Sequence, residues 1–108
     1  KLTLGENIGD LAGVTAAYKA YKLSLNGKEA SVIDGFTGDE RFFLGYGQVW
    51  RGKYREEAMR AQVMRGPHSP GEYRVNGTLP NIPAFYKTFG LKEGDKMFLS
   101  PEKRIKIW

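Results

Sequence analysis

Two carboxylates near the start of the chain have the clearest potential for chemistry. Glu6 and Asp10 lie four positions apart in a segment of strong helical character, and residues at i and i+4 share one face of a helix. We expect both side chains to reach one point, where they would repel each other unless a cation or a histidine lies between them. One carboxylate on a metal and a second that holds a neighbouring ligand is a common arrangement. The alternative is an ordinary helix N-terminus, where the dipole favours acidic residues.

The single histidine of the chain, His68, is the second candidate. It lies between Pro67 and Pro70, which restrict the backbone and direct the imidazole, and Arg74 follows six residues later. An imidazolium and a guanidinium both donate strong hydrogen bonds to a developing oxyanion or a carbonyl. The alternative is an ordinary loop histidine and a surface charge.

Helical segments have to position these residues. The apolar spacing predicts a helix over 4–25, which Asn26-Gly27 ends. A second helix is predicted over 39–51, a third over 55–65 and a short one over 84–89 that Gly90 closes. Residues 31–33 indicate a short strand, and 73–79 are predicted to be extended. The second helix is expected to turn these side chains towards the core: Phe42, Phe43, Tyr46, Val49 and Trp50.

Composition limits the possible classes of protein. A chain of 108 residues makes one domain. It has 17 Lys and Arg against 12 Asp and Glu, but the basic residues are spread out, which argues against a nucleic-acid partner. The absence of cysteine excludes disulfides and cysteine metal sites. Because the sequence begins with Lys1 rather than Met, we expect a processed product or an excised piece.

Four blocks of sequence carry a family resemblance. In chain order they are Gly5-Glu6-Asn7-Ile8-Gly9-Asp10, Gln48-Val49-Trp50-Arg51-Gly52-Lys53-Tyr54-Arg55, His68-Ser69-Pro70-Gly71-Glu72-Tyr73-Arg74-Val75-Asn76-Gly77-Thr78-Leu79, and Ser100-Pro101-Glu102-Lys103 followed by Trp108. Together they resemble the C-terminal end of the neprilysin and endothelin-converting-enzyme family of zinc metallopeptidases. The resemblance covers essentially the whole chain.

The resemblance implies a fold and an activity. It implies a mainly α fold with long loops and little strand, in which residues 1–108 form the C-terminal part of a thermolysin-like (gluzincin) catalytic domain. The family's His-Glu-x-x-His helix is not in this sequence and is expected upstream. The intact protein is then a zinc-dependent metalloendopeptidase that hydrolyses oligopeptides. Its single zinc ion would be bound by two upstream histidines and one residue of this chain.

The resemblance also implies a role for each candidate residue. Glu6 matches the third zinc ligand, and Asp10 matches the carboxylate that orients a zinc-binding histidine. His68 matches the histidine that stabilises the tetrahedral intermediate, and Arg74 matches the arginine that binds a backbone carbonyl of the substrate. Two further residues match the lining of the apolar pocket for the side chain after the scissile bond: Val49 and Trp50.

Three positions depart from the family pattern. Animal relatives have cysteines at the positions of Arg51 and Ile105, so the resemblance indicates a bacterial member without disulfides, in the periplasm or outside the cell. Gly66 stands where the family often has an aspartate that supports the loop histidine.

The partners that the resemblance implies are peptide substrates and the N-terminal part of the same enzyme.

The chain by itself is predicted to be inactive, because catalytic zinc needs three protein ligands. The isolated chain is also a candidate for self-association through surface that the missing part would cover. The alternative function is a non-catalytic helical binding or interaction module that uses the basic residues to hold an acidic partner.

Overall fold

A computed structural model of the chain describes residues 2–107. Lys1 and Trp108 lie outside the described residues, so the predictions about the first residue and the terminal tryptophan are not addressed by it. The described chain is mainly helical, as predicted. Its helices are α1 (Leu4–Ser24), α2 (Gly38–Val49), α3 (Glu56–Arg65), α4 (Gly71–Asn76) and α5 (Pro83–Phe89), with 3₁₀ turns at Leu79–Asn81 and Pro101–Lys103.

The predicted bounds of the long helices agree with the structure to within about two residues. Helix α2 begins one residue early because Thr37 caps it, its side chain accepting a hydrogen bond from the Glu40 amide. Helix α5 ends at Gly90, which adopts φ +62°. That left-handed conformation costs a glycine little.

The prediction of an extended segment over 73–79 is wrong. Pro70 is the N-cap of α4, and its carbonyl accepts from the amides of Tyr73 and Arg74. Val75 packs against the core, and Leu79 is buried in the 3₁₀ turn that follows. The tertiary burial of this face overrides the local preference of tyrosine and valine for extended structure.

The short strand predicted at 31–33 is reduced to one bridge. Within residues 2–107, Ile33 and Phe36 form an isolated antiparallel pair, joined by a hydrogen bond in each direction. Residues Asp34 and Gly35 make the tight turn between them with positive φ. The connector from α1 to α2 is therefore a loop with a single hairpin turn.

The core joins α1, α2, the first 3₁₀ turn and α5. Phe43 is 2% exposed and lies at its centre, in contact with the rings of Phe42 and Phe85. The other buried apolar side chains of the described residues are Leu11, Val14, Leu79, Ile82 and Phe85. This core places the start of α1 beside the C-terminal end of α2 and beside α4, where the candidate site lies.

Two other regions of the described chain stay outside the core. Helix α3 has no buried residue. Val49, which was expected to face inward, is 73% exposed, so that expectation is wrong.

None of the helices in the described part is long and apolar enough to cross a membrane.

Candidate active site

The two acidic residues of α1 each bind a different basic residue. The Glu6 carboxylate lies 3.1 Å from Nε2 of His68 (Oε2 to Nε2). The Asp10 carboxylate accepts two hydrogen bonds from Arg74, at 2.7 Å from Nε and 2.6 Å from Nη2. A histidine therefore does lie beside Glu6, as expected. However, it does not lie between the two carboxylates, because Asp10 binds Arg74 instead. Thus α1 presents two adjacent contacts along one side, the Glu6–His68 contact and the Asp10–Arg74 ion pair.

These two contacts differ in how far their side chains are exposed to solvent. The side chains of His68 and Glu6 are both about half exposed, at 48% and 49%. Those of Arg74 and Asp10 are 14% and 13% exposed. Solvent screens the first pair strongly, and it contributes little to stability. The second pair is bidentate and largely removed from water, which makes its geometry specific.

The Arg74 guanidinium is held on a second side by an aromatic ring. Its Cζ lies 3.8 Å from the centre of the Trp50 ring, a cation–π contact. Trp50 is the C-cap residue of α2, so α1 and α2 together hold the side chain. Hydrogen bonding by Asp10 raises the pKa of Arg74, and burial opposes this only in part. The guanidinium is therefore a fixed positive charge.

Close backbone packing brings α4 against Trp50. A Cβ on Gly71, the first residue of α4, would lie 2.5 Å from the Trp50 carbonyl oxygen. Any larger residue would push α4, and Arg74 with it, away from α2. Gly71 is thus part of what sets the distance between Arg74 and the indole ring.

The loop that carries His68 is attached to α1 through its neighbour. Ser69 Oγ donates to Asn7 Oδ1 at 2.9 Å, across a separation of 62 residues. At the other side, Gln62 of α3 donates its side-chain N–H to the Ser69 carbonyl. Both contacts hold the loop so that the imidazole lies beside Glu6.

A groove opens beside Asp10. It has a volume of about 400 Å³ and runs along the glycines of α1 towards α2. Its lining is mostly apolar and includes Asp10, Gly13, Phe42 and Tyr46. An imidazole from another segment would have room there next to the Asp10 carboxylate.

Sequence reasoning found some members of this site and missed others. The structure brings together the predicted residues Glu6, His68, Asp10, Arg74 and Trp50, whereas Val49 makes none of these contacts. The sequence did not single out Tyr46 as a site residue. In the structure its hydroxyl donates to the Arg74 carbonyl oxygen at 3.1 Å. A signal was present, since Tyr46 and Trp50 are four residues apart and share a helix face.

Within residues 2–107 no group of three or more histidine, cysteine or acidic side chains is arranged to hold a metal. Glu6 is the accessible carboxylate beside the histidine and offers one ligand. Its Oε1 atom has no hydrogen bond or ion pair within the described part of the chain. A complete metal site would need ligands from outside that part.

The helices gather a carboxylate, an imidazole and an anchored guanidinium on one face, groups that can bind a metal and stabilise developing negative charge, as a hydrolytic enzyme requires. Comparison with known proteins narrows this class. The profile of peptidase family M13 matches residues 1–105. The chain belongs to peptidase family M13.

Individual relatives agree with this assignment. The chain is 42% identical to human membrane metallo-endopeptidase-like 1, over 98% of this chain and 14% of that protein. It is 41% identical to neprilysin-1 of Caenorhabditis elegans, over 100% of this chain and 15% of that protein. The present sequence therefore spans only a small part of the length of the curated relatives it matches.

A solved structure gives the same result for the fold. The zinc metalloprotease Zmp1 of Mycobacterium tuberculosis, in complex with an inhibitor, superposes with a TM-score of 0.96 at 50% identity. The match covers 99% of this chain and 16% of that one. The same enzyme in its open state superposes with a TM-score of 0.95. The mainly helical fold is thus that of an M13 metallopeptidase.

Proposed function

We propose that residues 1–108 are the C-terminal part of the catalytic domain of a zinc-dependent metalloendopeptidase that hydrolyses oligopeptides. The observation that carries the proposal is the pair of contacts made by α1, Glu6 with His68 and Asp10 with Arg74. Four residues of the right chemistry converge there from segments more than 60 positions apart. Membership of peptidase family M13 supports the reaction class.

Glu6 would be the zinc ligand that this chain supplies. Its carboxylate is half exposed, and carboxylate oxygen is a normal zinc ligand. Zinc, when bound, lowers the pKa of a water and polarises the scissile carbonyl. Two histidines of an upstream His-Glu-x-x-His helix would complete the ligand set. Asp10, beside the open groove, would accept a hydrogen bond from one of these histidines while it keeps Arg74, since each carboxylate oxygen has two lone pairs.

His68 would stabilise the oxyanion of the tetrahedral intermediate. The half-exposed imidazole is held in a proline-bounded loop, so it needs little reorganisation to reach a substrate group beside Glu6. An N–H aimed at developing negative charge stabilises the transition state more than the ground state. Gly66 carries no carboxylate, so the 3.1 Å contact with Glu6 Oε2 is what would orient the imidazole.

Arg74 would bind a backbone carbonyl of the substrate. Asp10 uses two of the five guanidinium N–H groups, which leaves three as donors. Because Asp10 and Trp50 already hold the guanidinium in place, little side-chain entropy is lost when a carbonyl binds. The exposed Val49 and the indole of Trp50 would form the apolar surface for the residue after the scissile bond.

The proposal extends to partners and location. The N-terminal part of the same enzyme would cover the faces of α1 and α3 that are exposed in this chain. The isolated chain would be inactive and prone to self-association through these faces. A bacterial enzyme of this type would act in the periplasm or outside the cell.

The test separates the roles of Glu6 and His68 in the full-length enzyme. Glu6→Ala is expected to lose zinc, whereas His68→Ala keeps zinc and loses about 10²–10³-fold in kcat. Zinc content is measured by elemental analysis and hydrolysis with a fluorogenic peptide. Glu72→Ala, which changes an exposed acid on α4, is the matched control and should change neither. Equal zinc loss in both site variants would refute the division of roles.

The isolated chain provides a second test. We expect no hydrolysis of the same peptide by residues 1–108, with or without added zinc. Robust hydrolysis that a chelator abolishes would contradict the assignment of two ligands to another part of the enzyme.

A further inference from the structure

The main-chain carbonyl of Arg74 has an unusual partner. Arg74 lies in the last turn of α4, where the final four carbonyls have no acceptor role within the helix. The Thr78 amide, which could have bonded to it, bonds instead to the Val75 carbonyl at 3.2 Å. The Tyr46 hydroxyl donates to the Arg74 carbonyl oxygen at 3.1 Å. A side chain of α2 therefore donates the hydrogen bond that a carbonyl at the C-terminal end of α4 needs. That carbonyl belongs to Arg74, the residue proposed to bind substrate.

Tyr46 and Trp50 hold two different parts of the same residue. They lie one turn apart on one face of α2. Trp50 stacks on the Arg74 guanidinium, and Tyr46 binds its main chain. Asp10 of α1 holds the edge of the guanidinium. Arg74 is thereby positioned from two helices, by its backbone and by its side chain.

The surroundings of Tyr46 keep its hydroxyl as a donor. Burial, and after it the charge of Asp10, raise the pKa of Tyr46 above its ordinary value. Arg74 and the polar groups of Thr78 and Trp50 oppose the rise only in part. The hydroxyl thus stays protonated at neutral pH. It also lies at the wall of the groove beside Asp10 rather than at the His68 end of the site.

We infer that Tyr46 is a positioning residue for substrate binding, which acts on Arg74 through the α4 carbonyl and does not itself touch the substrate. The inference rests on the proposed function, because it requires that Arg74 binds a substrate carbonyl. Without the Tyr46 hydroxyl, α4 loses one attachment at its C-terminal end, and the guanidinium samples more positions. Because Arg74 binds the substrate in both ground and transition states, the effect falls on KM.

The experiment is Tyr46→Phe in the zinc-loaded full-length enzyme, which removes one oxygen and keeps the ring. We expect KM for a peptide substrate to rise about fivefold, the factor that corresponds to one net hydrogen bond. The value of kcat should stay within about twofold, with unchanged zinc content. Tyr18→Phe is the matched control, because the Tyr18 hydroxyl also makes one 3.1 Å hydrogen bond, to Asp39, away from the site. It should leave KM unchanged.

A double-mutant cycle with Arg74→Ala separates positioning from a general structural role. If Tyr46 acts through Arg74, Tyr46→Phe adds nothing to KM in the Arg74→Ala background. An equal rise of KM in both backgrounds would overturn the inference, as would an unchanged KM in Tyr46→Phe while Arg74→Ala raises it. If Arg74→Ala itself leaves KM unchanged, the substrate role proposed for Arg74 fails, and the inference fails with it.

Discussion

Two regions of the molecule are stabilised by different kinds of interaction. One is the aromatic core between α2 and α5, and the other is the charged cluster between α1 and α4. Phe43 contacts the rings of Tyr18, Phe42 and Phe85 at centroid distances of 5.2–5.6 Å, and burial of apolar surface stabilises the core. The charged cluster is held by the Asp10–Arg74 ion pair and by the half-exposed contact between Glu6 and His68. The core thus supplies a rigid frame, whereas the cluster keeps donors and acceptors accessible to other groups.

The largest expected effect is on the core. Phe43→Ala should lower the free energy of unfolding by about 3–5 kcal/mol, because it removes a buried ring and leaves a cavity. Phe36→Ala is the control, since Phe36 is 44% exposed, and should cost less than about 1 kcal/mol. Urea denaturation followed by circular dichroism measures both. Similar losses in the two variants would show that the aromatic cluster is not the main source of stability.

The next effect is on the largely buried ion pair. Asp10→Asn should cost about 2–3 kcal/mol, since it leaves the Arg74 charge without its counter-ion in a poorly solvated position. The exposed pair of Glu56 and Arg60 is the control, with Glu56 73% exposed, and Glu56→Gln should cost about 0–0.5 kcal/mol. If both substitutions cost the same, the site would contribute no more to stability than an ordinary surface pair.

A smaller effect is expected at the loop that carries His68. Ser69→Ala removes the hydrogen bond to Asn7 and should cost about 1 kcal/mol. Ser24→Ala is the control, because the Ser24 hydroxyl donates to the carbonyl of Tyr21, three residues away on the same helix. Hydrogen exchange of the loop amides should speed up in Ser69→Ala alone. Unchanged exchange would mean that the prolines are sufficient to hold the loop.

The smallest effect is a loss of stability at alkaline pH around Asp39. Hydrogen bonding by Asp39 raises the pKa of Lys22 above 10.5, and burial with the Asp39 hydrogen bond raises the pKa of Tyr18 above 10.0. A raised pKa in the folded state adds stability below the unfolded pKa, and this is lost as the pH rises through the folded value. The urea midpoint should therefore fall above about pH 10. Lys22→Gln should flatten that fall slightly, by about 0.5 kcal/mol or less; a steeper fall would contradict the prediction.

Much of the secondary structure follows from local sequence. Helix α1 follows from its periodic apolar residues and the Asn26-Gly27 stop, and the end of α5 follows from Gly90, where φ is positive. Helix α4 does not, because Tyr73 and Val75 favour extended structure and six residues are too few for a stable isolated helix. Contacts with Asp10, Trp50 and the core decide its conformation.

The same division applies to the candidate site. The residue types and the spacing of Glu6 and Asp10, together with the family motifs, singled out the acidic, imidazole and guanidinium groups. Their pairing was not predictable, because 62–64 positions separate the partners, and local spacing carries no information across such a distance. The inward orientation expected for Val49 was wrong for a related reason. The helical pattern predicts which residues share a face of α2, but it does not predict which other segment covers that face.

By itself, then, the sequence determined the long helices, the mainly α class and the family, because these depend on local periodicity and on motif identity. Only the tertiary structure decided that α4 is helical, that Glu6 contacts His68 while Asp10 binds Arg74, and that Tyr46 binds the α4 carbonyl. Each of these outcomes depends on burial and on contacts between distant segments. These contacts form, and stabilise this arrangement, only when the core around Phe43 brings the distant segments together.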